Sequence, residues 1–439
     1  MRALIWWSAA ALVGLGVAAS AQRGGMFSES RDHPAIRYTA RTPADAVATL
    51  ARRVEQGEIK LAFDADHGYL RSALEALEVP VESQVTVFTQ TSLQFQQVSL
   101  SNPRALFFND RVAVGWVRGA DALEFAAHDP EQGVIFYSIE QKPSARPRFT
   151  REETCLACHL SPDTLGVPGL MVFSVFSIPQ DQYSYAGGGV TDHRTPLDER
   201  WGGWFVTGRP GSARHLANTE IPQSLRVPGE RYGVPRQLDS LAGLFDPRGY
   251  LSMHSDVVAL MVLEHQAHMT NLLTRLGWEA RVAASEPSST PGAKPTLPGA
   301  SASRQDATRI EDAVRDLVDY LLFVDEAPIA GPVRGSSGFA ERFSGAGPRD
   351  GKGRSLRQLD LERRLMRYPC SYMIYTEVFD ALPEAAKAAV YERMWAILSG
   401  REKGGSYDRL AIADRRAVVE ILRETKTGLP VYFTVEGIR

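Results

Sequence analysis

The apolar residues of this chain follow a strand-like spacing in one part and a helical spacing in others. Between Gln84 and Ile139, short runs of β-branched and aromatic residues are separated by turn formers such as Asn102-Pro103 and Asp129-Pro130. Runs of this kind are typical of antiparallel strands. The pattern predicts a meander of five strands at 85–88, 105–108, 112–117, 123–126 and 134–139, and two later strands at 170–176 and 204–207.

Two short helices are predicted before these strands. Thr42 is expected to cap the first helix, with Pro43 at its first position and Asp45 in its first turn, and this helix should end near Gln56. Apolar residues at helical spacing predict the second helix over 66–77. The residues before them show little periodicity and are expected to form an extended arm.

After about Leu251 the apolar spacing is helical. A long helix capped by Ser255 or Asp256 is expected to run to about Leu276, and its uniformly apolar start predicts that it is buried. Further helices are predicted at 310–323, 356–366, 384–398 and 414–426, the third of these opened by Pro383 and closed by Gly400.

The N-terminus has a pattern typical of exported proteins. Arg2 precedes an apolar run from Ala3 to Ala18, and the small residues of Ala19-Ser20-Ala21 match a signal-peptidase site. We therefore predict a signal peptide over 1–21, no transmembrane span after its removal, and a periplasmic or secreted protein. An uncleaved membrane anchor is the alternative.

Net charge narrows the choice of partners. The whole chain has a formal net charge of −3, and removal of Arg2 with the leader makes it −4. An acidic balance of this size argues against nucleic acid and anionic membrane surfaces as partners.

One pentapeptide, Cys155-Leu156-Ala157-Cys158-His159, indicates a specific chemistry. In a C-x-x-C-H sequence, two thiols on one helical turn can form thioethers with a haem, and the next residue is the proximal imidazole ligand of the iron. One covalently attached haem c is therefore the predicted cofactor. Cys155 and Cys158 would hold it, and His159 would bind the iron.

Two other uses of the cysteine pair remain open. A thioredoxin-like pair is expected to follow a strand and open a long helix, whereas Pro143, Pro147 and Pro162 interrupt the chain around this motif. Half of a zinc site would need a second pair of ligands, and the third cysteine, Cys370, stands alone. We expect Cys370 to be buried and structural.

In this motif and the leader, the chain resembles the monohaem c-type cytochromes. The resemblance is confined to Cys155, Cys158, His159 and the predicted signal peptide. It implies covalent haem c and electron transfer by its iron. The architecture of the small soluble cytochrome c is not expected, because in that family a long N-terminal helix carries the motif at its end.

The sixth iron ligand would decide between electron transfer and catalysis. His265 is the candidate distal ligand, because its imidazole would project from an otherwise apolar helix face; a hydrogen-bonded core histidine is the alternative. Met171, Met253 and His254 are weaker candidates for the sixth ligand. His193 or His215 would serve as a distal acid and base, with Arg194 or Arg214 stabilising charge. A His265-x-x-His268 zinc pair and a pocket wall formed by Trp201 and Trp204 are further weak candidates.

The patterns together predict an α+β fold, with an antiparallel β-rich N-terminal half leading into the C-x-x-C-H motif and a mainly helical C-terminal half. The predicted regions are the signal peptide at 1–21, an arm and helices at 22–82, a β-rich haem-attachment region at 83–250, and a helical region at 251–439 with flexible insertions near 284–308 and 331–353.

The leading functional hypothesis is an exported c-type cytochrome that transfers electrons through Fe(II)/Fe(III). Its partner would be a redox protein or a small-molecule electron donor or acceptor. The alternative is a haem-dependent oxidoreductase, such as a peroxidase, with an open distal site. The length of the chain favours this alternative, because 439 residues far exceed what one electron-transfer haem needs.

Overall fold

The computed structural model describes residues 25–175, 188–212, 214–218, 237–285 and 304–439. The strands of its N-terminal half are β1 (Val85–Val87), β2 (Arg104–Phe108), β3 (Val112–Trp116), β4 (Ala122–Asp129), β5 (Gly133–Glu140), β6 (Phe149–Arg151), β7 (Val172–Ser174), β8 (Gly189–Thr191), β9 (Trp204–Phe205) and β10 (Arg209–Pro210). Strands β1 to β5 pair in chain order, each antiparallel to the next, so the predicted meander is confirmed. Strands β6 and β9 extend this sheet at its two edges, and β7 and β8 form a separate pair.

Helices dominate the C-terminal half, and the predicted α+β fold class is confirmed. The N-terminal half contributes α1 (Ala46–Glu55), α2 (Leu70–Ala76) and the short α3 (Leu156–His159). The C-terminal half contributes α4 (Val257–Ser285), α5 (Arg304–Leu321), α6 (Phe339–Gly345), α7 (Glu377–Asp380), α8 (Glu384–Leu398) and α9 (Ile412–Thr425), with strand β11 (Val333–Arg334) paired to β10. The segment 331–353, expected to be a flexible insertion, contains β11 and α6.

The long helix α4 joins the two halves. Asp256, one of the two predicted caps, accepts hydrogen bonds from the backbone N–H groups of Val258 and Ala259. Most of α4 packs in a core with α5, α8 and α9, while Trp278 and Val282 near its end belong to the core under the main sheet. The helix continues past the predicted end at Leu276 because its last part also packs against a hydrophobic core, and such packing stabilises a helix.

Helix α1 begins later than predicted. Asp45, and not Thr42, is its N-cap, and the Asp45 carboxylate accepts a hydrogen bond from the Ala48 N–H at 2.8 Å. The Asp129 carboxylate accepts the Ala44 N–H at 2.7 Å, which holds the preceding residues outside the helix. Asp129 lies on a distant strand, so the local pattern gave no sign of this contact. The predicted end near Gln56 is confirmed, since Gln56 is the C-cap.

Helix α2 also starts later than the predicted range of 66–77. The Asp64 carboxylate accepts the backbone N–H groups of Asp66 and His67, and Gly68 adopts a φ of 61°. These bonds close a turn, and the helix follows from Leu70.

The predicted helix at 356–366 is wrong. The Asp360 carboxylate accepts the N–H groups of Glu362 and Arg363, and Leu359 pairs with Met366 in an isolated bridge. A side chain that bonds the backbone two and three residues ahead competes with helical hydrogen bonds. The neighbouring prediction of a helix over Glu384–Leu398 is confirmed, with Pro383 before it.

Two predictions fall outside the described residues: the signal peptide over 1–21 and most of the insertion near 284–308. Within the described ranges, no helix is long and apolar enough to cross a membrane.

The cap of α4 is a testable anchor of the fold. The buried Asp256 carboxylate also accepts the N–H groups of Ser336 and Ser337. We expect Asp256→Ala to lower the free energy of unfolding by about 3 kcal/mol, because it removes the cap and leaves several N–H groups without an acceptor. Urea denaturation measures this loss. The control Asp312→Ala, at a half-exposed position of α5 where the carboxylate pairs only with the neighbouring Arg315 among the described ion pairs, should change stability by less than about 0.5 kcal/mol. Equal losses in the two variants would contradict the assignment.

Candidate functional site

A single turn of chain carries the C-x-x-C-H residues. Edge strand β6 pairs with β5, a 3-10 turn follows over Glu153–Cys155, and α3 continues to His159. Leu156 is buried against the core under the sheet and anchors this turn. Both thiols are free; Cys155 is half-buried and Cys158 is exposed. The turn therefore presents two unpaired thiols beside an imidazole.

The ring of His159 has a fixed tautomer. Its Nδ1 lies 2.9 Å from the carbonyl oxygen of Gly169, and a carbonyl only accepts, so Nδ1 carries the proton. Burial lowers the pKa of His159 to about 4, which keeps the ring neutral at pH 7. The Phe136 ring packs on it with 4.7 Å between centroids. Nε2 is left with a free lone pair, the form in which imidazole binds a metal.

The acceptor for His159 is itself held by α4. Asn271 accepts the Leu170 N–H through its side-chain oxygen at 2.9 Å and donates to the Leu170 carbonyl at 2.7 Å. A Cβ on the adjacent Gly169 would lie 2.1 Å from the Asn271 oxygen, so only glycine allows this approach. Sequence reasoning did not identify this pair. The signal was an asparagine within a helix predicted to be buried.

The surroundings of Cys155 do not favour a reactive thiolate. Burial raises the pKa of Cys155 to about 11, and the carboxylates of Glu124 and Glu152 add to the shift. Thioredoxin-like cysteines have a lowered pKa instead, because cations or a helix N-terminus stabilise the thiolate. The electrostatics therefore count against the thioredoxin-like alternative.

The zinc alternative finds no support in the described ranges. In these ranges, Asp64, Asp66 and His67 form a group whose ligand atoms lie close enough together to bind a metal ion. This group is distant in sequence from the cysteine motif. His265 and His268 belong to no such group.

His265 lies in a buried cluster in the core around α4. Its Nδ1 is 2.8 Å from Nδ1 of His193, and its Nε2 is 2.7 Å from the Ser371 hydroxyl. Tyr320 and Phe323 stack on both imidazoles. Iron ligation by His265 stays a prediction, and it would require one of these hydrogen bonds to be given up.

Charged residues surround this histidine cluster. Arg200 and Glu264, both fully buried, form an ion pair at 3.1 Å, and Thr191 donates to the other Glu264 oxygen. Arg194 pairs with Asp192 and donates to Nε2 of His268 at 3.0 Å. Buried charges are retained only when they are paired in this way.

The remaining predicted candidates are dispersed. His215 is buried beside Trp201, and the preceding Arg214 is exposed. Met253 is exposed and His254 is half-buried, just before α4. Trp201 and Trp204 form the packed turn that was the alternative to a pocket wall: the Trp204 N–H donates to the Trp201 carbonyl. Met171 is half-buried next to β7, and Cys370 is buried as expected.

Comparison with known proteins adds no relative. No protein-family model matches the chain, and neither the curated proteins nor the solved structures contain a significant match.

Because its buried histidines are neutral, we expect the protein to lose stability in mild acid. Burial lowers the pKa of His268 from 6.5 to about 4, so its contribution is complete above about pH 6.5 and is lost as the pH falls toward 4. We expect His268→Gln to reduce the pH dependence of the free energy of unfolding by about 1 kcal/mol per pH unit between about pH 6 and 5. Urea titrations across this range measure it.

The half-exposed His33 on the N-terminal arm provides the control. His33→Gln should leave the pH dependence unchanged. A His268→Gln protein with the slope of the unsubstituted chain would contradict the buried, neutral state of His268.

Proposed function

We propose that this protein is an exported c-type cytochrome with one covalently attached haem. Cys155 and Cys158 would form the thioethers, and Nε2 of His159 would be the proximal iron ligand. The observation that carries the proposal is the hydrogen bond from His159 Nδ1 to the Gly169 carbonyl, in a C-x-x-C-H turn whose two thiols are free. Proximal histidines are typically oriented by such a bond.

The side chains present fit the group. Covalent attachment of haem c needs two unpaired thiols in this spacing, and ligation of its iron needs a neutral imidazole with a free Nε2. The turn offers both. When bound, the haem supplies a one-electron Fe(II)/Fe(III) couple.

The protein's own contribution would be to hold the proximal imidazole rigidly. The main sheet fixes Leu156 and Phe136, while Asn271 fixes the acceptor of the His159 proton. A held imidazole moves little when the charge at the metal changes, which favours outer-sphere electron transfer. Exchange with a redox protein or small molecule would take place where Ala157 and Cys158 are exposed. The compartment would be the periplasm or the exterior.

The first test is covalent attachment. The full chain is produced in a bacterial host with cytochrome c maturation in the periplasm, and haem that stays on the polypeptide after denaturation is stained in a gel. We expect covalent haem on the unsubstituted protein and none on the Cys155→Ala, Cys158→Ala double variant. Cys370→Ala is the matched control and should keep it. A protein without covalent haem would overturn the proposal.

The second test separates electron transfer from haem catalysis. Visible spectra of the oxidised and reduced protein are recorded with and without carbon monoxide or hydrogen peroxide. A six-coordinate electron-transfer site should leave both spectra unchanged, because no position at the iron is open. Rapid changes with either ligand would instead support a peroxidase-like oxidoreductase. An unchanged spectrum in His265→Ala would remove His265 as the distal ligand.

A further inference from the structure

The loop that follows the C-x-x-C-H turn is held from two sides. Its Pro168 carbonyl accepts the backbone N–H of Val134 on strand β5 at 3.0 Å. The backbone N–H and carbonyl of Leu170 both bind the side chain of Asn271 on helix α4, at 2.9 Å and 2.7 Å. Gly169 lies between these two attachments, so its carbonyl oxygen has little freedom to move.

Two hydrogen bonds link Gly169 to His159. The Gly169 backbone N–H donates to the His159 carbonyl at 3.0 Å, and the Gly169 carbonyl accepts from His159 Nδ1 at 2.9 Å. A displacement of Gly169 would change the length and the angle of the bond at Nδ1. Because hydrogen bonds weaken steeply as they lengthen and bend, the position of Gly169 sets the strength of this bond.

The contact between the loop and α4 depends on the residue types at two positions. The buried Asn271 amide offers one acceptor and one donor, which match the two backbone groups of Leu170. A Cβ on Gly169 would lie 2.1 Å from the Asn271 side-chain oxygen and 3.1 Å from the Thr164 Cβ. Any side chain at position 169 would therefore displace the Asn271 amide.

The bond at Nδ1 bears on the chemistry at the other nitrogen of the ring. An imidazole that donates a hydrogen bond from Nδ1 is a more basic ligand at Nε2. A more basic ligand favours Fe(III), the more positively charged state, and hydrogen bonds of this kind are one means by which a protein tunes a haem potential. A well-held acceptor for His159 should therefore lower the reduction potential.

We propose that Asn271 is a positioning residue that lowers the reduction potential of the haem by holding the Gly169 carbonyl against His159 Nδ1. This inference rests on the proposed haem function. Asn271 binds the loop backbone at Leu170, so its effect on the imidazole passes through Gly169. Loss of the contact should raise the potential and leave the haem attached, because neither thiol takes part in it.

Spectroelectrochemical titration of the full-length haem protein measures the potential. We expect Asn271→Ala to shift the equilibrium toward Fe(II) by about tenfold at a fixed applied potential, which is about 59 mV for a one-electron couple. The reason is that a hydrogen bond to a group gaining charge is about twice as strong as a neutral one. Gly169→Ala should act in the same direction, since its methyl group displaces the Asn271 oxygen and removes no polar group.

The matched control is Thr274→Val, one turn further along α4. The Thr274 hydroxyl donates to the Thr270 carbonyl at 2.9 Å, so it accepts from Nε2 of His128 at 3.3 Å. Valine keeps the shape of the side chain and removes both bonds. Stability should fall, whereas the ratio of Fe(II) to Fe(III) should stay within about twofold, because the Asn271 contact is untouched.

The haem-free protein gives a second readout, which a purely structural role of Asn271 would not move. Nitrogen NMR distinguishes the two tautomers of an imidazole. His159 of the unsubstituted protein should be in the Nδ1–H form, and Asn271→Ala should convert it to a mixture of both. Thermal unfolding checks that each variant folds. If Asn271→Ala does not, Gly169→Ala decides.

The outcomes separate this inference from the proposed function. Covalent haem with an unchanged potential in Asn271→Ala and Gly169→Ala would overturn the role of Asn271 and leave the proposed function intact. Absence of covalent haem from the unsubstituted protein would overturn both. An equal shift in Thr274→Val would show that any loss of polar contact along α4 changes the potential, and would also refute the specific role of Asn271.

Discussion

Helix α4 is buried on almost every side, so each polar side chain along it must find a partner on another element. This constraint organises the molecule. The hydrogen bonds that satisfy α4 connect it to residues from both halves of the chain: Glu264 to Arg200, His265 to Ser371, Gln266 to Asn109 and Tyr372, Asn271 to Leu170, Thr274 to His128, Arg275 to Asp316, and Trp278 to Glu131. The sheet and the helical half are thus joined by specific polar contacts as well as by apolar packing.

Two of these contacts act on the imidazoles of His159 and His128. Asn271 holds the loop whose carbonyl fixes the proton of His159, and Thr274, one turn further on, fixes the proton of His128. In both imidazoles burial keeps the ring neutral, and a hydrogen bond decides which nitrogen is free. One face of α4 therefore decides, through Asn271 and Thr274, which nitrogen carries the proton in each ring.

Local patterns predicted the elements that local forces determine. Alternating β-branched residues and turn formers predicted strands β1 to β5, and Pro383 with Gly400 bounded α8. The errors occurred where a side chain competes with the backbone. Asp360 closes a turn where a helix was expected, and Asp129, which lies 85 residues from Ala44, fixes the start of α1. Periodicity contains no information about such contacts.

The sequence by itself determined the fold class and the candidate chemistry, because apolar periodicity and the spacing of two cysteines and a histidine are local properties. Only the tertiary structure decided which nitrogen of His159 is free, since the loop that carries the Gly169 carbonyl is held by Asn271, which is 101 residues from Leu170. It also decided the setting of His265, whose hydrogen-bond partners come from distant segments. A tautomer depends on the partners around a ring, and those partners meet only when the chain is folded.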